Sequence, residues 1–324
     1  MFTIFAILTG AAIFGAGAGC RGVGVPNDGE GEQEGGKGKG QEGEELLFHG
    51  FWVLMDYKVQ KIVNFAMQKL LINLILLISV LKSMGQDFSS FEKKELISGG
   101  DTLRYRIQYP PGYNAAKKYP LILVLHGSGE RGRDNEAQLK WGGSLFADSA
   151  KRAAFPAIVV FPQCPATDSW SRLTVNPQDS LRFHFLSDTI VSRPLGLVMQ
   201  LLDAFVAGGT INTRKIYVGG LSMGGMGTFE ILWRKPHFFA AAFPICGAGD
   251  PAKVKTYARK FPIWVFHGGA DPVVPVGNSR VMVRELKAAG AKVTYTEYPG
   301  VGHDSWKNAF AEPDLLPWLL EKSK

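Results

Sequence analysis

Gly220-Leu221-Ser222-Met223-Gly224 sets a serine between two glycines, with an apolar run (216–218) before it and a helix-like run (226–232) after it. A serine on a tight strand-to-helix turn presents its hydroxyl at the C-terminal edge of a sheet. The flanking positions must be glycine, because a side chain there would strike the strand or the helix. At the first turn of that helix the Met223 N–H points to where negative charge develops when the hydroxyl attacks a carbonyl. The chemistry this spacing implies is acyl transfer through a serine nucleophile, Ser222.

A serine hydroxyl needs a base to attack, and six histidines compete: His49, His126, His184, His237, His267 and His303. On a sheet carrying such a turn the partners follow in the order serine, acid, histidine, which sets aside the first three. His237, in RKPHFFA, reads as a helix-end or packing residue, and His267, opening HGGADPVVP, reads as a turn residue. His303, in YPGVGHDSW, follows the last strand-like run, where a loop can carry its imidazole over the sheet edge; it is the expected base. Asp271 follows the strand-like run 262–266 and the turn Gly268-Gly269-Ala270. It is the expected acid, which fixes the histidine tautomer and stabilises the imidazolium. Asp250 also follows a strand and is its rival, whereas Asp304 adjoins His303 too closely to orient it.

A second oxyanion donor is expected from the loop after an early central strand, His126-Gly127-Ser128-Gly129-Glu130-Arg131-Gly132. The Ser128 N–H is the best candidate, paired with that of Met223. The Ser128 hydroxyl is an alternative nucleophile without the turn that exposes Ser222. The same loop spells G-x-G-x-x-G, a dinucleotide fingerprint and the basis of an oxidoreductase alternative. That motif must open a helix and have an acid about twenty residues on at the end of a strand. Here residues 131–135 are charged and loop-like, and Asp148 falls inside ADSAKR. No Walker-type or H-E-x-x-H motif occurs, and the reading requires neither a metal nor another cofactor.

These residues need a scaffold, and the chain supplies one from about residue 101. Apolar runs of strand length recur at 103–109, 120–125, 157–161, 215–219, 240–245, 262–266 and 292–298. Helix-like stretches lie at 195–206, 224–234, 278–289 and 314–322. Continuous Val/Ile/Leu/Phe runs are what strands buried on both faces of a parallel sheet require. The alternation predicts a doubly wound, mostly parallel α/β sheet with helices on both faces. The less periodic 130–190 region is expected to hold loops and short helices that overhang the site. Trp141 and Trp170 lie there and suit stacking on a sugar or an aromatic acyl group, or plain packing.

The front of the chain differs in kind. Residues 1–19 are apolar and small, and 21–45 are Gly/Glu/Lys-rich, a composition expected to be disordered. Met67-Gln68-Lys69, the apolar run 70–81 and the small residues Ser83 and Gly85 describe a secretory signal at 67–85. Twelve residues are too few to span a bilayer, so no stable membrane insertion of the mature form is expected. Because export signals begin a chain, residues 1–66 are read as disordered or as a mis-assigned leader before a true start at Met67. A lipoprotein signal ending at Cys20 is the rival. The catalytic domain is placed at 86–324 and expected to be exported to the periplasm or beyond.

Bulk properties exclude other classes. The 324 residues carry a net charge of +7 and are 46% hydrophobic and 20% charged, enough for a large core without disulfides or structural metal. From Gln86 on there are 29 basic against 21 acidic residues, a surplus of eight. No run of five Lys/Arg occurs and no aromatics interleave them, so the surplus reads as surface charge and not as a nucleic-acid footprint. Cys20, Cys164 and Cys246 form no C-x-x-C pair; the last two follow strand-like runs and read as small buried residues, a disulfide between them being the alternative.

With these pieces in order, the chain resembles secreted bacterial α/β-hydrolase carboxylesterases of the feruloyl- and acetylxylan-esterase type, related to polyhydroxybutyrate depolymerases and dienelactone hydrolases. The resemblance rests on LHGSGERG (125–132), VVFPQCP (159–165), GLSMGG (220–225), FPICGAGD (243–250), FHGGADPVVP (266–275) and GVGHDSW (300–306), spanning about 101–320. It implies a triad of Ser222, Asp271 and His303, and an oxyanion hole at Ser128 and Met223. It also implies a small-molecule or polysaccharide-linked ester as substrate, with a peptidase using the same triad as the alternative. Relatives often carry an Ig-like domain in front, for which residues 87–101 are far too short.

Overall fold

The computed structural model describes residues 41–82, 86–187 and 190–324. The chain forms two compact units, dividing between Ser83 and Met84. The described residues of the first form one helix, α1 (Gln41–Lys82). Leu, Ile, Glu, Lys and Gln dominate it and only Gly43 and Gly50 oppose helix formation. The stretch expected to be unstructured, 21–45, therefore ends inside a helix. The proposed signal is helical over 67–82, and its remaining residues 83–85 lie outside the described residues, as do 1–40. Trp52, Leu54, Phe65, Leu70, Leu71 and Ile72 are exposed on α1. Polar residues recur through it, and among the described residues no helix is long and apolar enough to cross a membrane.

The second unit is a doubly wound α/β sheet with helices on both faces. Its sheet is built from β1 (Phe91–Ser98), β2 (Asp101–Gln108), β3 (Tyr119–Leu125) and, after α2 (Gly143–Ala147) and α3 (Ser149–Ala154), β4 (Ile158–Gln163). A detached hairpin follows, β5 (Leu173–Val175) with β6 (Phe183–Phe185), then α4 (Arg193–Ala207), β7 (Ile211–Leu221), α5 (Met223–Arg234) and β8 (Ala241–Ile245). The chain closes with β9 (Ile263–Gly268), α6 (Gly277–Ala288), β10 (Val293–Tyr298), α7 (Trp306–Ala311) and α8 (Leu315–Glu321). The eight strands lie in the order β1-β2-β4-β3-β7-β8-β9-β10. β1–β2 and β2–β4 are antiparallel and every other pair is parallel.

Side-chain alternation along the strands builds two cores. Leu121, Leu123 and Leu125 of β3 pack on one face with Leu195 and Leu201 of α4, Phe229 of α5 and Met282 of α6. Ile122 and Val124 pack on the other with Leu145 of α2, Phe310 of α7 and Leu316 of α8. β9 divides the same way, Ile263 and Val265 to one core and Trp264 and Phe266 to the other. The chain leaves β3 to one side for β4 and to the other for β7, so the crevice at the C-terminal ends of these strands lies at a switch point of the sheet.

Each expected strand and helix exists, with ends shifted by a few residues; β7 starts at Ile211, four before the apolar run. β1 was not expected. FEKKELIS buries only Phe91 fully, and as an edge strand it needs backbone pairing more than apolar side chains.

Candidate active site

Ser222 sits at the junction of β7 and α5 with φ +53° and ψ −117°, a conformation that costs a non-glycine residue about 1–3 kcal/mol. The surroundings impose it. The Ser222 N–H donates to the Ile245 carbonyl of β8 (2.9 Å), and the Ser222 carbonyl accepts from Met226 N (3.0 Å). A Cβ on Gly220 would meet the Gly224 and Leu125 carbonyl oxygens at 2.5 and 2.6 Å, and one on Gly224 would collide with the Leu125 carbonyl. These glycines let the turn close against the end of β3.

The Ser222 Oγ lies 2.9 Å from His303 Nε2, and His303 Nδ1 lies 2.7 Å from Asp271 Oδ2. A carboxylate only accepts, so Nδ1 carries the proton and Nε2 is left to accept from the serine hydroxyl. Asp271 Oδ1 accepts the N–H groups of Val273 (2.8 Å) and Val274 (2.9 Å). The Asp271 carboxylate is wholly buried and the His303 imidazole partly so, at 0% and 19% side-chain exposure. Burial opposes ionisation of Asp271, but hydrogen bonds with His267 and His303 and the Val274 N–H outweigh it, holding the carboxyl well below its ordinary range. The structure thus brings Ser222, His303 and Asp271 together. Asp250, the rival acid, instead accepts from Ala252 N and caps the turn Pro251–Thr256.

His267 corrects the sequence reading. It is no turn residue but the fifth residue of β9, fully buried, with Nε2 3.3 Å from Asp271 Oδ2 and 2.9 Å from the Val274 carbonyl. Its Nδ1 meets Ser279 Oγ at 2.7 Å. Because the Val274 carbonyl can only accept, Nε2 carries the proton, and the ring holds the acid loop from below. The signal was present in the spacing, since His267 and Asp271 are four residues apart around a glycine turn.

The loop of residues 126–132 packs on the serine turn: a Cβ on Gly127 would meet Leu221 Cδ1 at 2.8 Å. Ser128 begins a short 3-10 turn, Ser128–Glu130, and Met223 begins α5. Among the described residues neither backbone N–H enters a hydrogen bond within the protein, whereas Ser222 N is taken by Ile245. No α-helix opens on this loop and Asp148 caps α3, so the dinucleotide geometry is not formed. His126 fixes the loop instead: its Nδ1 is 2.6 Å from the Gly127 carbonyl and its Nε2 accepts from Cys164 N at 2.9 Å. Burial pushes its pKa down to about 4.

Trp170 also differs from the reading as a stacking platform. It is fully buried, donates from Nε1 to the His126 carbonyl (3.0 Å) and braces the same loop. Trp141 is half-buried and packs against Trp306, which in turn meets the His303 ring edge-on at 5.2 Å. Cys164 and Cys246 are both free and buried. Cys246 lies under the site, its sulfur within 4.8 Å of the Asp271 and His303 ligand atoms. Burial pushes its thiol up, and Asp271 and His303 already satisfy one another, so these donors suit a packed floor better than a metal.

The sequence profile of the phospholipase/carboxylesterase family matches residues 113–312. A thermostable esterase of known structure is 37% identical and superposes with a TM-score of 0.65, over 73% of this chain and 64% of its own. The chain therefore spans just under two thirds of that relative. A ferulic acid esterase, 18% identical with a TM-score of 0.55, shares the fold over 71% of this chain and 98% of its own. A probable inactive carboxylesterase of Oryza sativa subsp. japonica is 26% identical over 206 residues, 60% of this chain and 81% of the relative.

Proposed function

The chain belongs to the phospholipase/carboxylesterase family of carboxylic-ester hydrolases, built on the α/β-hydrolase fold, and we propose that it cleaves esters by forming an acyl-enzyme at Ser222. The observation that carries this reading is the hydrogen-bonded series Ser222–His303–Asp271, at 2.9 and 2.7 Å, beneath a serine held at positive φ. His303 Nε2 takes the hydroxyl proton as Oγ attacks the ester carbonyl. The oxyanion accepts hydrogen bonds from the N–H groups of Ser128 and Met223. His303 then returns the proton to the leaving alcohol, and water, activated by the same nitrogen, frees the acid. Asp271 keeps Nδ1 protonated throughout, and His267 keeps Asp271 in place.

The substrate class follows from the family resemblance: acyl or feruloyl esters on plant polysaccharides outside the cell, reached by export through the signal at 67–85. Ser222→Ala should abolish both ester turnover and labelling by a fluorophosphonate while leaving the circular dichroism spectrum unchanged, with kcat falling by about a million-fold. Labelling that survives in the variant would move the nucleophile elsewhere, Ser128 first. A preference for amides over the matching esters would favour the peptidase alternative.

A further inference from the structure

We propose that the cavity beside the packed Trp141–Trp306 pair is the subsite for the alcohol side of the ester, and that it takes a sugar ring bearing a carboxylate. The inference rests on the ester-hydrolase reading and adds to it the chemistry of the leaving group. The two indoles pack on one another, 5.6 Å between centroids at 49°, and both line a cavity of about 400 Å³ together with Phe310 and Leu145.

Both walls are tied to the reacting groups. Trp306 packs edge-on against the His303 imidazole, 5.2 Å between centroids at 86°. Trp141 neighbours the side chain of Glu130, in the loop that carries Ser128. The leaving oxygen must come within hydrogen-bonding reach of His303 Nε2 to collect its proton. The cavity is not lined by His303 itself, but its Trp306 wall touches the imidazole, which sets it on the His303 side of the site, where the alcohol leaves. The position of Trp141 is rigid, because the next residue, Gly142, has φ +83° and packs so closely on Phe310 that a Cβ would sit 2.7 Å from its ring.

The walls and rim define the ligand. Tilted indole faces favour the C–H faces of a pyranose or another flat ring. The ammonium groups of Lys140 and Lys307 lie 5.2 and 5.8 Å from the Trp141 centroid, and Lys151 also lines the cavity. Among the described residues Asp148 is the one carboxylate lining it, and its Oδ1 is already engaged by the Lys151 N–H. Lys307 is balanced by Asp304 at 2.7 Å. The remaining donors and positive charge suit an acceptor-rich, anionic ring, as in a uronosyl unit.

Binding and turnover separate this inference from the reading beneath it. Ser222→Ala protein is titrated calorimetrically with an acetylated galacturonate trisaccharide and with an acetylated xylotriose. The acidic ligand should bind at least about tenfold more tightly, and Trp141→Ala in the same background should weaken it by about tenfold or more. Lys140→Glu should remove the preference for the acidic ligand. In the active enzyme, the ratio of kcat/KM on the acidic oligosaccharide ester to that on methyl acetate should fall in Trp141→Ala, through KM. Equal binding of both sugars, a Trp141→Ala loss shared equally by methyl acetate, or selectivity that follows the acyl group would overturn the subsite. Tight, Trp141-dependent binding without turnover of any ester would keep the subsite and sink the hydrolase reading.

Discussion

Asp271 is held by four donors although it is buried: two N–H groups of its own loop, His303 and the flanking His267. Replacing it by Asn keeps the shape but lets the amide present a donor to Nδ1, which selects the wrong tautomer. Asp271→Asn should lower kcat about ten-thousand-fold with little change in KM, measured on a simple ester; Asp250→Asn should leave the rate near wild type, because Asp250 only caps a turn. His126 yields a different signature. Its folded pKa of about 4 lies below the ordinary 6.5, so between these values the unfolded chain binds a proton that the folded chain refuses. Its contribution is complete above pH 6.5 and is lost as pH falls towards 4, on the order of 3 kcal/mol in all. Urea unfolding between pH 7 and 4.5 should show that fall, and His126→Asn should flatten it. An unchanged slope in the variant would assign the effect to other groups.

At the scale of the elements, the serine turn works because β7 and α5 approach β3 without side chains between them. Gly224 is the tightest point, where a methyl group would overlap the Leu125 and His126 carbonyls. Gly224→Ala should destabilise the protein by about 3 kcal/mol or more and lower kcat further than Tm alone explains, since the serine must move with the helix; a variant with normal kcat and Tm would contradict this packing. Such elements were legible from sequence because buried parallel strands are written in continuous apolar runs, and because the chain order serine, acid, histidine leaves few candidates. The illegible parts share one cause, that their role is set by neighbours distant in sequence. Nothing in FEKKELIS marks an edge strand until β2 pairs with it. His267 looked like a turn residue because the turn that follows it folds back over its own strand. Trp170 carries no local sign that His126, 44 residues earlier, would bury it.

For the molecule as a whole, the question is where the catalytic unit begins. Phe88 and Phe91 belong to its hydrophobic core. Phe88 packs on Gly143 and edge-on to Phe91, Phe91 packs on Phe161 of β4, and the Phe88 carbonyl accepts from buried Arg106. We propose that the catalytic unit begins at residue 86, directly after the expected export signal, and these contacts of Phe88 and Phe91 support that start. Two truncations test it. A chain beginning at Gln86 should unfold in one cooperative transition and keep full specific activity. A chain beginning at Gly99 loses β1, both phenylalanines and an Arg106 partner. Burial of a single Phe is commonly worth about 3–5 kcal/mol, which is a large fraction of the 5–15 kcal/mol stability of a typical domain. The shorter chain should therefore be unfolded or molten at 25 °C, as read by near-ultraviolet circular dichroism. If instead the Gln86 chain already melts more than about ten degrees below the full-length protein, then residues before 86 contribute packing to the catalytic unit. The proposed export signal would then have to be reassigned as part of the folded protein.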